Sequence, residues 1–502
     1  MIVANRHGRN GRTKRNGAPN GRSRAEDRPA GTAAEPVSLQ EQVIADIVGI
    51  GHTGEGVGRV NGFTLFIHGA LPGEKVSAQV TGLKKQYGFA RLLKVLEASP
   101  DRVEPPCPVY DECGGCQLQH LGYEGQLRLK RQMVVDNLER IAKLRVANID
   151  ADGEPGGVVV HPTIGMTDPW RYRNKVQVPI GEREGGLAGG LAGGFYATGS
   201  HRIVDADRCL IRTEAADDIV SAVKKMAYEL GIPAYDEEKR RSGLRHVIVK
   251  SGFRTGETMV VLVSDKEELP EAQRLAERIV EAVPGIASIC HNVNAGPAGT
   301  VMGPHTSVLW GRDRIYDAIG DVRFAISAHS FYQVNPVQTE ALYGKALEYA
   351  GLTGSETVID AYCGVGTISL FLAQRAKRVY GVEIVPEAVQ DARRNAELNG
   401  IANAEFEAGK AEEVIPAWRE QGIRPDVIVV DPPRSGCDAA LLDTIVTMRP
   451  QRVVYVSCNP STLARDLRVL EDGGFRTVEV QPVDMFPWTA HVESVIWMVR
   501  KE

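Results

Sequence analysis

The chain has 502 residues, 43% of them hydrophobic and 25% charged, which is a globular composition and length enough for about three domains of ~150 residues each. No apolar run reaches bilayer-spanning length, and the opening MIVANRHGRNGRTKRNG lacks the apolar stretch of a secretory signal, so a cytoplasmic, non-membrane protein is expected. A net charge of −5 excludes bulk attraction to nucleic acid, and any such contact has to come from local patches.

Residues 1–36 carry eight Lys/Arg against three acids and show no hydrophobic periodicity. They read as a disordered basic arm, serving equally well as an inert tail or as an RNA tether. From 37 to 97 the pattern changes to short β-type runs, VIADIVGI, FTLFIHGA, KVSAQVTGL and ARLLKVLEA, punctuated by Asn61-Gly62 and Pro72-Gly73. That predicts a small β-barrel. Lys84, Lys85, Gln86, Tyr87 and Arg91 set cations beside an aromatic ring, a combination that suits phosphates and stacked bases or forms a solvated face.

Three of the eight cysteines crowd into Cys107-Pro-Val-Tyr-Asp-Glu-Cys113-Gly-Gly-Cys116. In a reducing compartment such crowding suggests a metal site rather than disulfides. Residues 123–144 place Leu127, Val134, Leu138 and Ile141 at helical spacing, which predicts an amphipathic helix of about six turns; with its flanks, 121–150, it is expected on the C-terminal domain. The stretches 98–120 and 151–325 form a central α+β domain with the β-like runs KVQVPIG, LRHVIVKSG, TMVVLVS and SICHNVN and a helix near 266–283. Within it, GGLAGGLAGG at 185–194 reads as a flexible hairpin insertion.

From 326 to 502 apolar strands alternate with helices, TVIDAYC, RVYGVEI, AEFEAG, PDVIVVDPP and RVVYVSCNP in turn, followed by RTVEVQPVDMF and HVESVIWMVR. Such alternation means a parallel, doubly wound α/β sheet, and the short last connection implies an antiparallel hairpin at its edge. Asp360-Ala-Tyr-Cys-Gly364-Val-Gly366 follows a strand and opens a helix, so glycines sit where a ligand approaches the backbone. Glu383 ends the next strand, where carboxylates bind ribose hydroxyls, and Asp431-Pro-Pro closes the fourth at the same sheet edge. The third glycine of the dinucleotide fingerprint is missing near Leu370, which argues for S-adenosylmethionine over a pyrophosphate cofactor. Singly, Glu383 also reads as an exposed strand-end acid and Asp431 as a helix cap.

The fifth strand ends in Ser457-Cys458-Asn459-Pro460, placing a thiol beside the expected cofactor. Uracil carbon 5 is too poor a nucleophile to take a methyl from a sulfonium, whereas a thiolate adding to carbon 6 makes it reactive. Cys458 is therefore the candidate nucleophile. Carbon 5 afterwards still holds its hydrogen, and Glu493, in the edge hairpin, is the candidate base, although a loop glutamate is more often simply a solvated one.

Jointly, Ser330-Phe-Tyr-Gln333-Val-Asn, the Asp360 and Asp431-Pro-Pro-Arg434 segments, Ser457-Cys-Asn-Pro-Ser-Thr-Leu-Ala-Arg-Asp466 and Met485-Phe-Pro-Trp-Thr-Ala-His-Val-Glu493 resemble the RNA uracil-5-methyltransferase family over 37–502. The resemblance implies a Rossmann-like class I methyltransferase domain, Cys458 as nucleophile, Glu493 as base, and Gln333, Tyr362, Glu383 and Asp431 around the methyl donor. The barrel resembles a TRAM domain, and Cys107, Cys113, Cys116 and Cys209 match the four ligands of a [4Fe–4S] cluster in the ribosomal-RNA branch. It implies a monomer acting on 23S rRNA, with tRNA as the alternative. Trp488 departs from the family, where His is frequent. From spacing alone the four cysteines fit zinc as well as iron. Two rivals stand: an amino-methyltransferase, disfavoured because Arg434 rather than an aromatic residue follows Asp-Pro-Pro, and a non-catalytic RNA-binding assembly factor, disfavoured by the intact Cys458 and Glu493.

Overall fold

A computed structural model describes residues 37–147, 156–183, 189–296 and 299–502; the basic arm and the start of the Gly-rich segment lie outside the described residues. Strands β1 (Gln42–Ile50), β2 (Gly56–Val60), β3 (Phe63–His68), β4 (Lys75–Leu83) and β5 (Tyr87–Glu97) close into a barrel in the order β1-β2-β3-β5-β4. Period-2 alternation drives closure: Val43, Ala45 and Ile47 of β1 are buried while their neighbours face out. Asn61 and Gly62, at φ of 50° and 81°, make the β2–β3 turn.

Helix α1 (Tyr123–Asn137) is shorter than its pattern suggests. It passes into one π-helical turn, Leu138–Ala142, and that extra residue per turn swings Ile141 off the apolar face into solvent. A short strand, β6 (Val159–Val160), follows.

The central sheet comprises β7 (Lys175–Glu182), β8 (Leu191–Tyr196), β9 (Ile203–Asp205), β10 (Leu244–Ser251), β11 (Thr258–Ser264), β12 (Ile286–Val293) and β13 (His305–Gly311), ordered β13-β12-β11-β10-β7-β8-β9. Helices α2 (Glu214–Glu229) and α3 (Ala272–Ala282) pack together on it. All its pairings are antiparallel except β11 with β12, which α3 joins as a crossover. The described end of the Gly-rich segment is no flexible insertion: Leu191–Gly194 are buried in β8. A Cβ on Gly194 would lie 1.8 Å from the Val204 carbonyl oxygen, so glycine is what lets β8 and β9 pair there.

Strands β14 (Arg314–Ile319) and β15 (Val322–Ser327) form a hairpin that shares one apolar core with the central sheet and with α4 (Pro336–Ala350). The catalytic sheet then runs β16 (Thr357–Ala361), α5 (Thr367–Ala373), β17 (Arg378–Glu383), α6 (Pro386–Leu398), β18 (Ala404–Ala408), α7 (Ala411–Glu420), β19 (Val427–Val430), α8 (Ala439–Met448), β20 (Arg452–Ser457), α9 (Pro460–Asp472), β21 (Phe475–Val483) and β22 (Glu493–Arg500). Its order, β18-β17-β16-β19-β20-β22-β21-β6, reverses direction at β16/β19, the switch point where open α/β sheets bind ligands. Two expectations change here. The final hairpin is not the edge, because β22 inserts between β20 and β21. The edge is β6, paired in parallel with β21, so this piece of 151–325 belongs to the catalytic sheet.

Candidate active site

Local sequence chemistry explains how Cys458 is displayed. Ser457 ends β20, Asn459 caps α9 by accepting from the Ser461 N–H at 3.0 Å, and Pro460 takes the first helical position. Cys458 is the single residue between strand and cap, half-buried at the helix N-terminus. The turn is braced by the preceding Asp431-Pro-Pro-Arg434 segment, whose Arg434 carbonyl accepts from Asn459 Nδ2 at 3.1 Å and from Thr462 Oγ1 at 3.2 Å.

Glu493 is the first residue of β22 and is buried, not a solvated loop acid. Antiparallel pairing sets Ser457 against Ser494, so one step further along the register Cys458 stands opposite Glu493. Burial pushes the Glu493 carboxyl up to about 8, with Asp431 adding repulsion and Arg434 opposing it. Cys458 rises to about 11, first through burial and then through Glu493 and Asp431, with Arg434 pulling it back. These four groups form one electrostatic unit, in which Asp431 is itself raised to about 7 by burial. Asp431 is not a helix cap, since α8 is capped by Asp438.

A second group of residues lies around β16 and β17. Tyr362, Glu383, Gly409 and Asp438 help line a cavity of about 650 Å³, a volume proper to a nucleoside-sized ligand. Glu383 accepts from the Gly364 N–H at 3.2 Å and from the Val385 N–H at 3.0 Å, which fixes its carboxylate at the rim. Tyr362 adopts a left-handed φ of 68°, an outlier for a bulky residue of the kind that gathers at ligand sites. Gln333, Asp431, Cys458 and Glu493 do not line this cavity.

Tyr343 bridges the two groups. Its buried hydroxyl interacts with the side chains of Thr367 and Gln333, and the charges of Asp431 and Asp360 act on it. The Gln333 loop is held from the central sheet: Lys250 Nζ donates to the carbonyls of Ser327, Ala328 and Ser330, and Asn174 Nδ2 to that of Gln333. Asp360 opens the glycine motif without a role of its own in the sequence pattern, yet it is a fully buried acid of the site. It accepts from Ser369 Oγ, its Oδ1 has no partner, and burial with Asp431 and Glu383 nearby raises it to about 7. An acid one residue before the end of an otherwise largely apolar strand was the signal for it. Three coupled carboxyls, one with a buried oxygen unspent, suit a cationic sulfonium donor.

The four cysteines are all free thiols and line one small pocket with Phe195 and Tyr110. The Cys209 N–H is held by Asp217, which also pairs with buried Arg212. Among the described residues, no group of three or more His, Cys, Asp or Glu side chains is arranged to hold a metal ion, so the expected ligand set is not a converged single-ion site. On the barrel, Tyr87 and Phe89 are exposed and cluster with Phe66 at centroid separations of 5.5–6.1 Å, flanked by exposed Lys84, Lys85 and Arg91. No helix among the described residues is long and apolar enough to cross a membrane.

A family model described as tRNA (Uracil-5-)-methyltransferase matches residues 317–501, and a TRAM domain model matches 41–93. A relative from Halalkalibacterium halodurans named as an uncharacterized RNA methyltransferase is 60% identical over 460 residues, 92% of this chain and 97% of the relative. The chain belongs to the RNA uracil-5-methyltransferase family. A similarly named Bacillus cereus protein is 53% identical over 467 residues, covering 93% of this chain and 98% of its own. The crystal structure of Pyrococcus abyssi tRNA (uracil-54, C5)-methyltransferase with S-adenosyl-L-homocysteine superposes with a TM-score of 0.70 and 28% identity, over 91% of this chain and all of that one. This uracil-5-methyltransferase thus uses S-adenosylmethionine and acts on RNA, with its TRAM domain as the closed barrel.

Proposed function

We propose that this enzyme methylates carbon 5 of a uridine in 23S rRNA through a covalent bond between Cys458 and carbon 6, and that Glu493 is the base that ends the reaction. The observation carrying this reading is the juxtaposition of Cys458 and Glu493 across the β20–β22 register. The Cys458 sulfur, once deprotonated, attacks carbon 6 and leaves electron density at carbon 5. S-adenosylmethionine, when bound among Tyr362, Glu383 and the Asp360–Asp431 carboxyls with Gln333 beside them, supplies the electrophilic methyl. Glu493 then takes the carbon 5 proton, the carbon 5–carbon 6 double bond re-forms, and the thiolate leaves. Arg434 offsets the negative charge that these steps gather.

We further propose a [4Fe–4S] cluster held by Cys107, Cys113, Cys116 and Cys209. A single zinc ion needs four donors within ~2.3 Å of one point. Four thiols lining one shared pocket are also the ligand type that a four-iron cluster takes. The exposed Tyr87–Phe89 surface with its cations suits RNA outside the target uridine.

Ribosomal RNA is supported by the resemblance of barrel plus four cysteines to that branch. The second reading, tRNA, is favoured by the likeness to the Pyrococcus abyssi tRNA enzyme. Purified enzyme with labelled donor, offered 23S rRNA and tRNA lacking the modification, separates them: label in 23S rRNA alone supports the first reading, and label in tRNA alone overturns it.

A further inference from the structure

The connection from β21 to Glu493 contains a residue with no role in the chemistry above. Five consecutive carbonyls, from Asp484 to Trp488, each accept a hydrogen bond from outside the loop. The last of them takes two, from the backbone N–H groups of Gln117 and Leu118 at 2.9 and 3.0 Å. Those two residues directly follow Cys116.

Trp488 is buried and has a φ of 70°, a left-handed conformation that a bulky side chain keeps only where its surroundings over-determine it. Here they do. Its ring stacks on Trp170 at 4.0 Å and 13°, and its indole N–H donates to the Pro169 carbonyl at 3.0 Å. Its backbone N–H donates to Gln126 Oε1 at 3.0 Å. The same apolar cluster, Tyr172, Ile211 and Trp488, is packed by Cys116 and Cys209. On the other side, Thr489 and His491 close a tight turn through the Thr489 hydroxyl, and β22 begins at Glu493.

We propose that Trp488 is a positioning residue for the catalytic base, tying the four-cysteine segment to the loop that leads into Glu493 at the start of β22 so that the segment's geometry sets how fast the carbon 5 proton is removed. The inference rests on Glu493 being the base. A general base works within hydrogen-bond reach of its proton, and misplacement by ~1 Å costs about 10²-fold. Cys458 follows β20, and the residues lining the donor cavity include none from 484–492; the donor-side contacts of this loop, from Gln338 and Asn335, reach the carbonyls of Asp484 and Met485 and not Trp488. A residue that merely filled the interface between lobes would slow every step alike when removed.

Single-turnover rapid quench with RNA and labelled donor separates the two roles. In Trp488→Ala, resolution of the methylated protein–RNA adduct should slow by roughly 10–10²-fold, while adduct formation stays within about threefold of wild type. Trp488→Phe, which keeps a ring on Trp170, should recover most of the loss. Trp170→Ala removes the stack from the other side, should show the same pattern, and decides the matter if Trp488→Ala does not fold. Cys116→Ala should change the near-ultraviolet circular dichroism of the Trp170–Trp488 pair and slow resolution alone. Wild-type resolution in folded Trp488→Ala or Trp170→Ala, equal slowing of formation and resolution, or unchanged dichroism in Cys116→Ala overturns the inference. Glu493→Gln is the control. If it accumulates no adduct, the assignment of the base has failed; if it does and the tryptophan variants do not, only the positioning role has.

Discussion

Cys458, the residue after β20, and Glu493, the first of β22, fall opposite each other one step beyond the Ser457–Ser494 pair, at the ends of two inner strands of the catalytic sheet, and the Glu493 charge acts on the thiol. A nucleophile and a base at the ends of paired strands can meet the same uracil, and the connection that leads into β22 sets the base's final placement. Removing the sulfur in Cys458→Ala should cut turnover by more than about 10³-fold. Donor affinity should change little, because the cavity at Tyr362 and Glu383 does not include Cys458. Isothermal titration with S-adenosylmethionine alongside a turnover assay checks both halves.

The buried acid also leaves a mark on stability. Glu493 titrates at 4.5 in the unfolded chain and at about 8 in the fold, so the native state holds this proton more tightly. Its favourable contribution is complete below pH 4.5 and is lost as pH rises through about 8. Glutamine does not titrate. Melting curves of Glu493→Gln against wild type should coincide near pH 4.5, with the variant gaining steadily until about pH 8 and levelling above it. A constant offset across that range would mean that the carboxyl is not buried as described.

Much of this site was legible because strand ends have a sequence signature. An apolar run closed by Asp-Pro-Pro or Ser-Cys-Asn-Pro marks where a parallel strand meets its helix, and those points all fall on one sheet edge. What the pattern could not carry was register and insertion order. A two-strand hairpin reads the same whether it lies at an edge or slips inside with β22 against β20, so Glu493 looked like a loop residue. The β6 edge strand is two residues long and pairs with β21 across some 320 positions of sequence, beyond any local signal. Ile141 was misplaced because a π-turn inserts one residue without changing the apolar spacing that precedes it.

The four-thiol pocket predicts colour and stoichiometry. Purified without oxygen, the protein should be brown with about four irons per chain. Cys209→Ser should lose most of that iron, since it removes one of four thiolates in a single pocket. Stoichiometric zinc without iron, by elemental analysis, rules the cluster out.

The barrel surface should act on RNA alone. Stacking is worth ~1–3 kcal/mol per base, so Tyr87→Ala with Phe89→Ala should weaken RNA binding by about tenfold or more. Replacing Lys84 and Lys85 should instead flatten the salt dependence, by about one unit of log–log slope for each phosphate no longer neutralised. Filter binding at several salt concentrations distinguishes the two, and donor affinity should be unchanged in both. RNA affinity insensitive to all four residues removes the barrel from the RNA interface.

Glu493→Gln tests the order of events. The amide keeps the shape of the site and never carries the charge that an ionised Glu493 sets against the Cys458 thiolate, so thiolate addition should proceed at least as readily as in wild type. Methyl transfer follows, because the donor cavity is intact. Only the loss of the carbon 5 proton lacks its base, a step a positioned carboxylate accelerates by roughly 10²–10⁴-fold. Methylated RNA should therefore accumulate still bonded to Cys458, seen on a denaturing gel as a labelled protein–RNA band that is faint in wild type. The double variant Cys458→Ala, Glu493→Gln should show no band at all, which ties the bond to that sulfur. Normal turnover by Glu493→Gln, or a block before any label reaches the RNA, removes Glu493 as the base and leaves it the task of orienting the uracil.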